Sequence, residues 1–375
     1  MASIELQEAY ATNPTSKFSP FSVTSGKNEG NGVAITGISR FPPKASFSNP
    51  EHGYPLMVAI HGATCSAFSY DLNPEYTAST YSDQFGVPFI AIHRPNYLNS
   101  TGWLTGYSPT ASAETNGHFT TPPLKQEGLT YLEQEGRWLH EYVLPTIWKA
   151  QSHKGLTSIV TTSHSMAVPG TIIAAALWSA QPESERKYQW SGMILSGFAV
   201  TGTQHCETVS AAVQTEPHRE PHELPYGQNP DPAVHLMPYK PEDKADLMLG
   251  PRGLADDELR PLVIKQTTPF FREERADLYG TWPANSVKYK TGVKIPVLYA
   301  LGEYDWVWKG TKENVEAFAK DFVNAPRVEA SLVERAPHAI DLGRGSKGWW
   351  TRCFGWAIEV AVSAHGREGR PEKFE

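Results

Sequence analysis

Three side chains far apart in this chain have the types and the setting needed to make an alcohol oxygen reactive. Ser165 lies in Ser163-His164-Ser165-Met166-Ala167, Asp305 in Gly302-Glu303-Tyr304-Asp305-Trp306, and His338 in Ala336-Pro337-His338-Ala339-Ile340-Asp341. A serine hydroxyl is a poor nucleophile until a histidine takes its proton and a carboxylate fixes that histidine's tautomer. The chemistry implied is attack on a carbonyl carbon. That attack also needs N–H donors for the developing oxyanion, and the backbone N–H groups of Met166, after the serine, and Ala63, in His61-Gly62-Ala63-Thr64, stand in the right places. Glu303 and Asp341 are alternatives for the acid. Trp306 is a candidate for contact with substrate.

The elements that must hold these residues follow from the pattern around them. Ser158-Ile159-Val160-Thr161-Thr162 reads as a short buried strand, and Val168 to Leu177 as a helix of small and apolar residues against a sheet. Ser165 then falls on a sharp strand-to-helix turn. Such turns usually read G-x-S-x-G, because bulk two residues either side of the serine makes strand and helix collide. Here Ser163 and Ala167 replace the glycines; both are small.

Strands are also expected at Phe21–Thr24 and Gly32–Ile38 as an antiparallel pair, then at Tyr54–Thr64, Gly86–Ile92, Tyr188–Ser196, Lys294–Leu301 and Arg327–Val333. Between them, Gln126–Gln151 reads as a long helix that Pro145 kinks or ends. Helices carrying Val315, Phe318 and Phe322, and Trp350, Phe354, Ala357 and Ala361, complete an alternation that predicts an α/β fold with a mostly parallel sheet flanked by helices. The alternation breaks over residues 200–292, rich in Pro, His and Glu, which is read as an inserted cap. The expected organisation is a core of 1–199 and 293–375 around it. Asp305 and His338 then sit just past strand ends, where open parallel sheets gather catalytic groups. The first 20 or so residues are expected to be a surface arm without chemistry.

Composition narrows the class. The 375 residues are 40% hydrophobic and 19% charged, with 30 prolines and 30 glycines, as in a globular protein with many turns. A formal charge of −7 without a Lys/Arg run argues against nucleic acid or an anionic membrane as partner. Three scattered cysteines, Cys65, Cys206 and Cys353, fit neither a disulfide framework nor a zinc site and point to a reducing, cytoplasmic setting. No secretory signal or membrane span is expected. The insertion's His205, Cys206, His218, His222 and His235 match no metal-ligand spacing, so neither a metal nor another cofactor is expected. His164 and Cys65 are read as packing. The oligomeric state is left open.

The order Ser, Asp, His, together with His61-Gly62-Ala63, His93-Arg94-Pro95, the elbow and Pro337-His338, resembles the α/β-hydrolase superfamily over roughly residues 55–365. Within it, the chain looks like capped hydrolases of fungal secondary metabolism. The resemblance implies a serine hydrolase acting on an ester or lactone of a medium-sized, fairly apolar small molecule, without cofactor. Alternatives are the same pocket recruited for biosynthetic cyclisation, elimination, C–C cleavage or acyl transfer, and a non-catalytic binder.

Overall fold

The computed structural model describes residues 10–25, 33–43, 54–98, 100–102, 128–204, 206, 236–237 and 240–365. Eight strands form one sheet: β1 (Ser19–Ser25), β2 (Val33–Arg40), β3 (Pro55–Ile60), β4 (Phe89–Ile92), β5 (Ser158–His164), β6 (Trp190–Ser196), β9 (Val297–Tyr304) and β10 (Val328–Pro337). Between β6 and β9 two short strands, β7 (Leu236–Met237) and β8 (Phe270–Phe271), pair with each other. The large sheet runs β1-β2-β4-β3-β5-β6-β9-β10 and is parallel from β4 to β10, with β2 antiparallel to both its neighbours.

Alternation along each strand decides what covers which face. On β3, Leu56, Val58 and Ile60 join the apolar cluster on one side of the sheet, and Met57 and Ala59 join the other. Helices α1 (Ala78–Phe85) and α10 (Ser346–His365) cover the second side, where Trp350 and Phe354 pack on Phe89 at ring centroid distances of 5.8 Å each. Helices α2 (Tyr131–Trp138), α3 (Leu144–Gln151), α4 (Ala167–Ala180) and α9 (Lys312–Ala319) supply buried residues to the first. Thr130 and Glu133 start α2 with a reciprocal capping box.

Pro145 does not end the helical run. A wide turn over Leu139–Val143 bridges α2 and α3, with the Leu144 N–H donating to Leu139 O, so Pro145 sits in the first turn of α3. That widening meets the two demands of a proline inside a helix: no N–H to give, and room for its ring.

The segment between β6 and β9 also carries α5 (Pro241–Leu249), α6 (Leu259–Lys265), α7 (Arg272–Gly280) and α8 (Trp282–Gly292). Helices α5 and α6 bury Ala245, Met248, Leu249, Leu259 and Val263 against Leu72, Tyr76, Ala339 and Leu342 of the sheet-bearing part. Residues His205, His218, His222 and His235 lie outside the described residues. The expected N-terminal arm is pinned where it is described: Asn13 is buried, caps its own turn at Thr15 and donates to Asp71 Oδ1 at 2.7 Å. All three cysteines are buried and none is in a disulfide. Among the described residues no helix is long and apolar enough to cross a membrane.

Candidate active site

The sheet changes direction of growth at β3 and β5: the chain leaves β3 for β4 on one side, and builds β6, β9 and β10 on the other. At such a switch point the loops diverge and leave a crevice at the carboxyl ends of the strands. The Gly62-Ala63-Thr64 loop leaves β3 there, and the Ser165 turn leaves β5.

Ser165 and Met166 form the whole connection between β5 and α4. Ser165 has φ 53°, the left-handed region that a residue with a Cβ adopts at a cost of about 1–3 kcal/mol. Its N–H donates to Ser196 O at 2.9 Å and its carbonyl accepts from Val168 N at 2.9 Å, which ties the turn to β6 and to α4. The serine in the usual glycine position is accommodated by a bond: Ser163 Oγ lies 2.6 Å from Thr171 Oγ1, which donates to Ala167 O. Ala167 is fully buried.

Asp305 and His338 reach Ser165 from the next two strands. His338 directly follows β10 and is fully buried; its Nε2 is 3.0 Å from Ser165 Oγ and its Nδ1 is 2.8 Å from Asp305 Oδ2. Asp305 follows β9, and its other oxygen accepts from Val307 N at 2.8 Å and Trp308 N at 3.0 Å. With a carboxylate on Nδ1, that nitrogen carries the proton and Nε2 is left to accept from the serine. Neither alternative acid holds the imidazole: Glu303 turns away to accept from Arg335 N, and Asp341 sits in the short turn Ile340–Leu342, its carboxyl raised to about 6 by burial.

His164 packs against His338 with ring centroids 4.7 Å apart, and its Nδ1 lies 3.1 Å from Ser196 Oγ. Burial, then the neighbouring His338, lowers its pKa well below the usual histidine value, so the ring is neutral at pH 7. Gly197, at φ 62°, makes room for it, since a Cβ there would stand 2.4 Å from His164 Cε1.

The loop after β3 approaches equally closely. A Cβ on Gly62 would lie 2.9 Å from Ser165 Cβ, so the loop after β3 runs against the turn after the adjacent β5. His61 Nε2 accepts from Arg94 N at 3.1 Å, which leaves Nδ1 to donate to Gly62 O at 2.8 Å. Burial and Arg94 lower the His61 pKa well below its ordinary value. Thr64, at φ 58°, is a second strained residue.

Of the two tryptophans near Asp305, Trp308 is buried against Phe198 at 4.7 Å and belongs to the core. Trp306 is 42% exposed, with its carbonyl accepting from Thr203 Oγ1. The described residues hold no cluster of three or more His, Cys, Asp or Glu side chains fit for a metal ion.

Two features had no signal in local sequence. One is a buried charge cluster behind the loop: the fully buried Arg94 pairs with Glu274 of α7, has Glu135 of α2 at 3.5 Å and covers the Tyr97 ring at 4.6 Å, while Tyr97 OH donates to Glu274 Oε2 at 2.6 Å. The other is Lys244 of α5, 2% exposed, donating to Thr64 O at 2.8 Å and Gln266 O at 3.1 Å and lying near the Cys65 side chain. A lysine therefore stands beside Cys65, where the sequence offered no such neighbour.

Sheet order, switch point and elbow together define an α/β-hydrolase fold. The solved structures that resemble this chain agree. A soluble variant of monoglyceride lipase from Saccharomyces cerevisiae matches with TM-score 0.57 at 14% identity, over 94% of this chain and 98% of that one. A carboxylesterase from Bacillus subtilis matches with TM-score 0.51 at 12% identity, over 94% and 95%. An E-2-(acetamidomethylene)succinate hydrolase matches with TM-score 0.51 at 10% identity, over 90% and 98%. No family model and no curated protein matches the sequence.

Proposed function

We propose that this protein is a serine hydrolase that cleaves an ester or lactone of a medium-sized, fairly apolar small molecule through an acyl-enzyme. The observation that carries the reading is the unbroken chain of hydrogen bonds from Ser165 Oγ through His338 to Asp305, at 3.0 and 2.8 Å. Ser165 Oγ bonds to the carbonyl carbon while its proton passes to His338 Nε2. The carbonyl oxygen takes the electron pair and is held by the Ala63 and Met166 N–H groups. As the tetrahedral adduct collapses, the C–O bond to the leaving alcohol breaks and His338 returns the proton to that oxygen. Water, deprotonated by the same imidazole, then releases the acid and restores Ser165.

Residues 200–292 act as the cap over a core of 1–199 and 293–375, and the exposed Trp306 ring is the side chain proposed to meet substrate. The yeast and Bacillus neighbours are a monoglyceride lipase and a carboxylesterase, chemistry of the same class. A reducing, cytoplasmic setting belongs to the same proposal, supported by three buried cysteines that form no disulfide.

A fluorophosphonate probe and p-nitrophenyl butyrate test it. The expected result is one adduct on Ser165 and ester hydrolysis that falls about 10⁴-fold or more in Ser165→Ala and His338→Ala. Absence of the adduct, or hydrolysis unchanged in Ser165→Ala, overturns the reading.

A further inference from the structure

Lys244 is an ammonium group in the interior whose hydrogen bonds go to two carbonyls, and it enters no ion pair with a carboxylate among the described residues. Desolvating a lysine is expensive unless its donors are used, so the position has a structural demand behind it. That demand is visible in the acceptor. Thr64 is β-branched and held at φ 58°, a conformation that persists only where the surroundings over-determine it. Thr64 O receives both Lys244 Nζ and the Thr268 N–H, at 2.8 and 2.9 Å, while Thr268 Oγ1 donates to Cys65 O at 2.9 Å. All of these donors come from the segment between β6 and β9.

The same helix also touches the other side of the site. Met248, one turn after Lys244 on α5, accepts through its carbonyl from the Ala339 N–H at 3.0 Å, next to His338. Helix α5 thus spans from the loop of Ala63 to the loop of His338. We infer that Lys244 is a positioning residue: through Thr64 O it holds the Gly62-Ala63-Thr64 backbone in the strained path that aims the Ala63 N–H at the oxyanion, with α5 bracing that loop against the one that carries His338. The inference rests on the serine-hydrolase reading for the role of Ala63. The grip on the loop itself is independent of it.

Lys244→Met and Lys244→Gln in the full chain test this, with p-nitrophenyl butyrate kinetics, fluorophosphonate labelling and amide hydrogen exchange. The Met variant removes the donors. It is expected to lower kcat by about 10- to 100-fold with KM changed by less than about threefold, the mark of an interaction made in the transition state. Exchange is expected to accelerate in peptides covering residues 62–67 and to stay unchanged in those of β5 and α4. The Gln variant keeps two donors without the charge and should recover part of kcat and of the protection; if the Met variant does not fold, the Gln variant alone carries the comparison. Wild-type kcat with wild-type exchange in either variant overturns the inference, as does faster exchange spread over the whole protein. Should the wild-type protein take no label on Ser165, the hydrolase reading fails, and the exchange comparison still decides whether Lys244 holds the loop.

Discussion

Replacing Glu135 by Gln should make the protein more stable, and increasingly so as pH rises. The fully buried Arg94 guanidinium faces two carboxylates, and its closer partner is Glu274, which also receives the Tyr97 hydroxyl. One cation neutralises one anion, so a charge on Glu135 would be surplus at a fully buried site. Burial accordingly raises the Glu135 pKa to about 8, against the pull of Arg94 and with help from Glu274 and Asp277. In the unfolded chain the same carboxyl loses its proton near 4.5. Between those values the folded state binds more protons than the unfolded state, so this residue's contribution to stability declines as pH rises. One full proton is worth about 1.4 kcal/mol per pH unit. Glutamine has the shape of the protonated acid and nothing to lose, so Glu135→Gln should match wild type below about pH 4 and gain about 1 kcal/mol on it for each pH unit above that up to about 8. Urea denaturation of both proteins at several pH values between 5 and 8 measures the difference. A flat difference refutes the reasoning. A variant less stable than wild type at pH 7 would mean that Glu135 is an ionised partner of Arg94.

Two further outcomes follow from the same contacts. Glu274→Gln alone should lose only about 1–2 kcal/mol, because Glu135 can ionise and take over Arg94, whereas the double Glu135→Gln, Glu274→Gln variant strands the guanidinium and should lose about 3–5 kcal/mol; strictly additive losses in a double-mutant cycle would count against a shared cation. Gly62→Ala places a methyl 2.9 Å from Ser165 Cβ and should cut kcat for p-nitrophenyl butyrate at least about tenfold with little change in melting temperature, and full activity in that variant would mean the two loops are not in mutual contact during the reaction.

The sheet and the three converging side chains were legible because each depends on short-range pattern. The β-branched run before Ser165 and the small residues after it specify a strand and a helix by period alone, and once the strands before Asp305 and His338 are recognised both residues fall at one edge of a parallel sheet. Asp305 was preferred over Glu303 and Asp341 from its place after the strand; the coordinates add the direction each carboxyl takes, with Asp305 on His338 and Glu303 on Arg335 N. What sequence could not show is pairing at long separation. Lys244 and Glu274 each meet a partner 180 residues away, Thr64 and Arg94, and neither has a local motif. The ending expected at Pro145 did not occur for a related reason: the rule for proline in a helix is local, and it does not show the wide turn over residues 139–143, which pack against α4.

Because one helix touches the loops on both sides of Ser165, the segment that would govern which molecules enter is not a detachable accessory. Exchanging residues 240–268 for those of another protein would withdraw the hydrogen bonds that reach Thr64 and Cys65 on one side and Ala339 on the other. On the proposed hydrolase reading, selectivity and rate are mechanically joined, and new substrate ranges are reached more safely by changing side chains on the exposed faces of these helices than by trading the helices themselves.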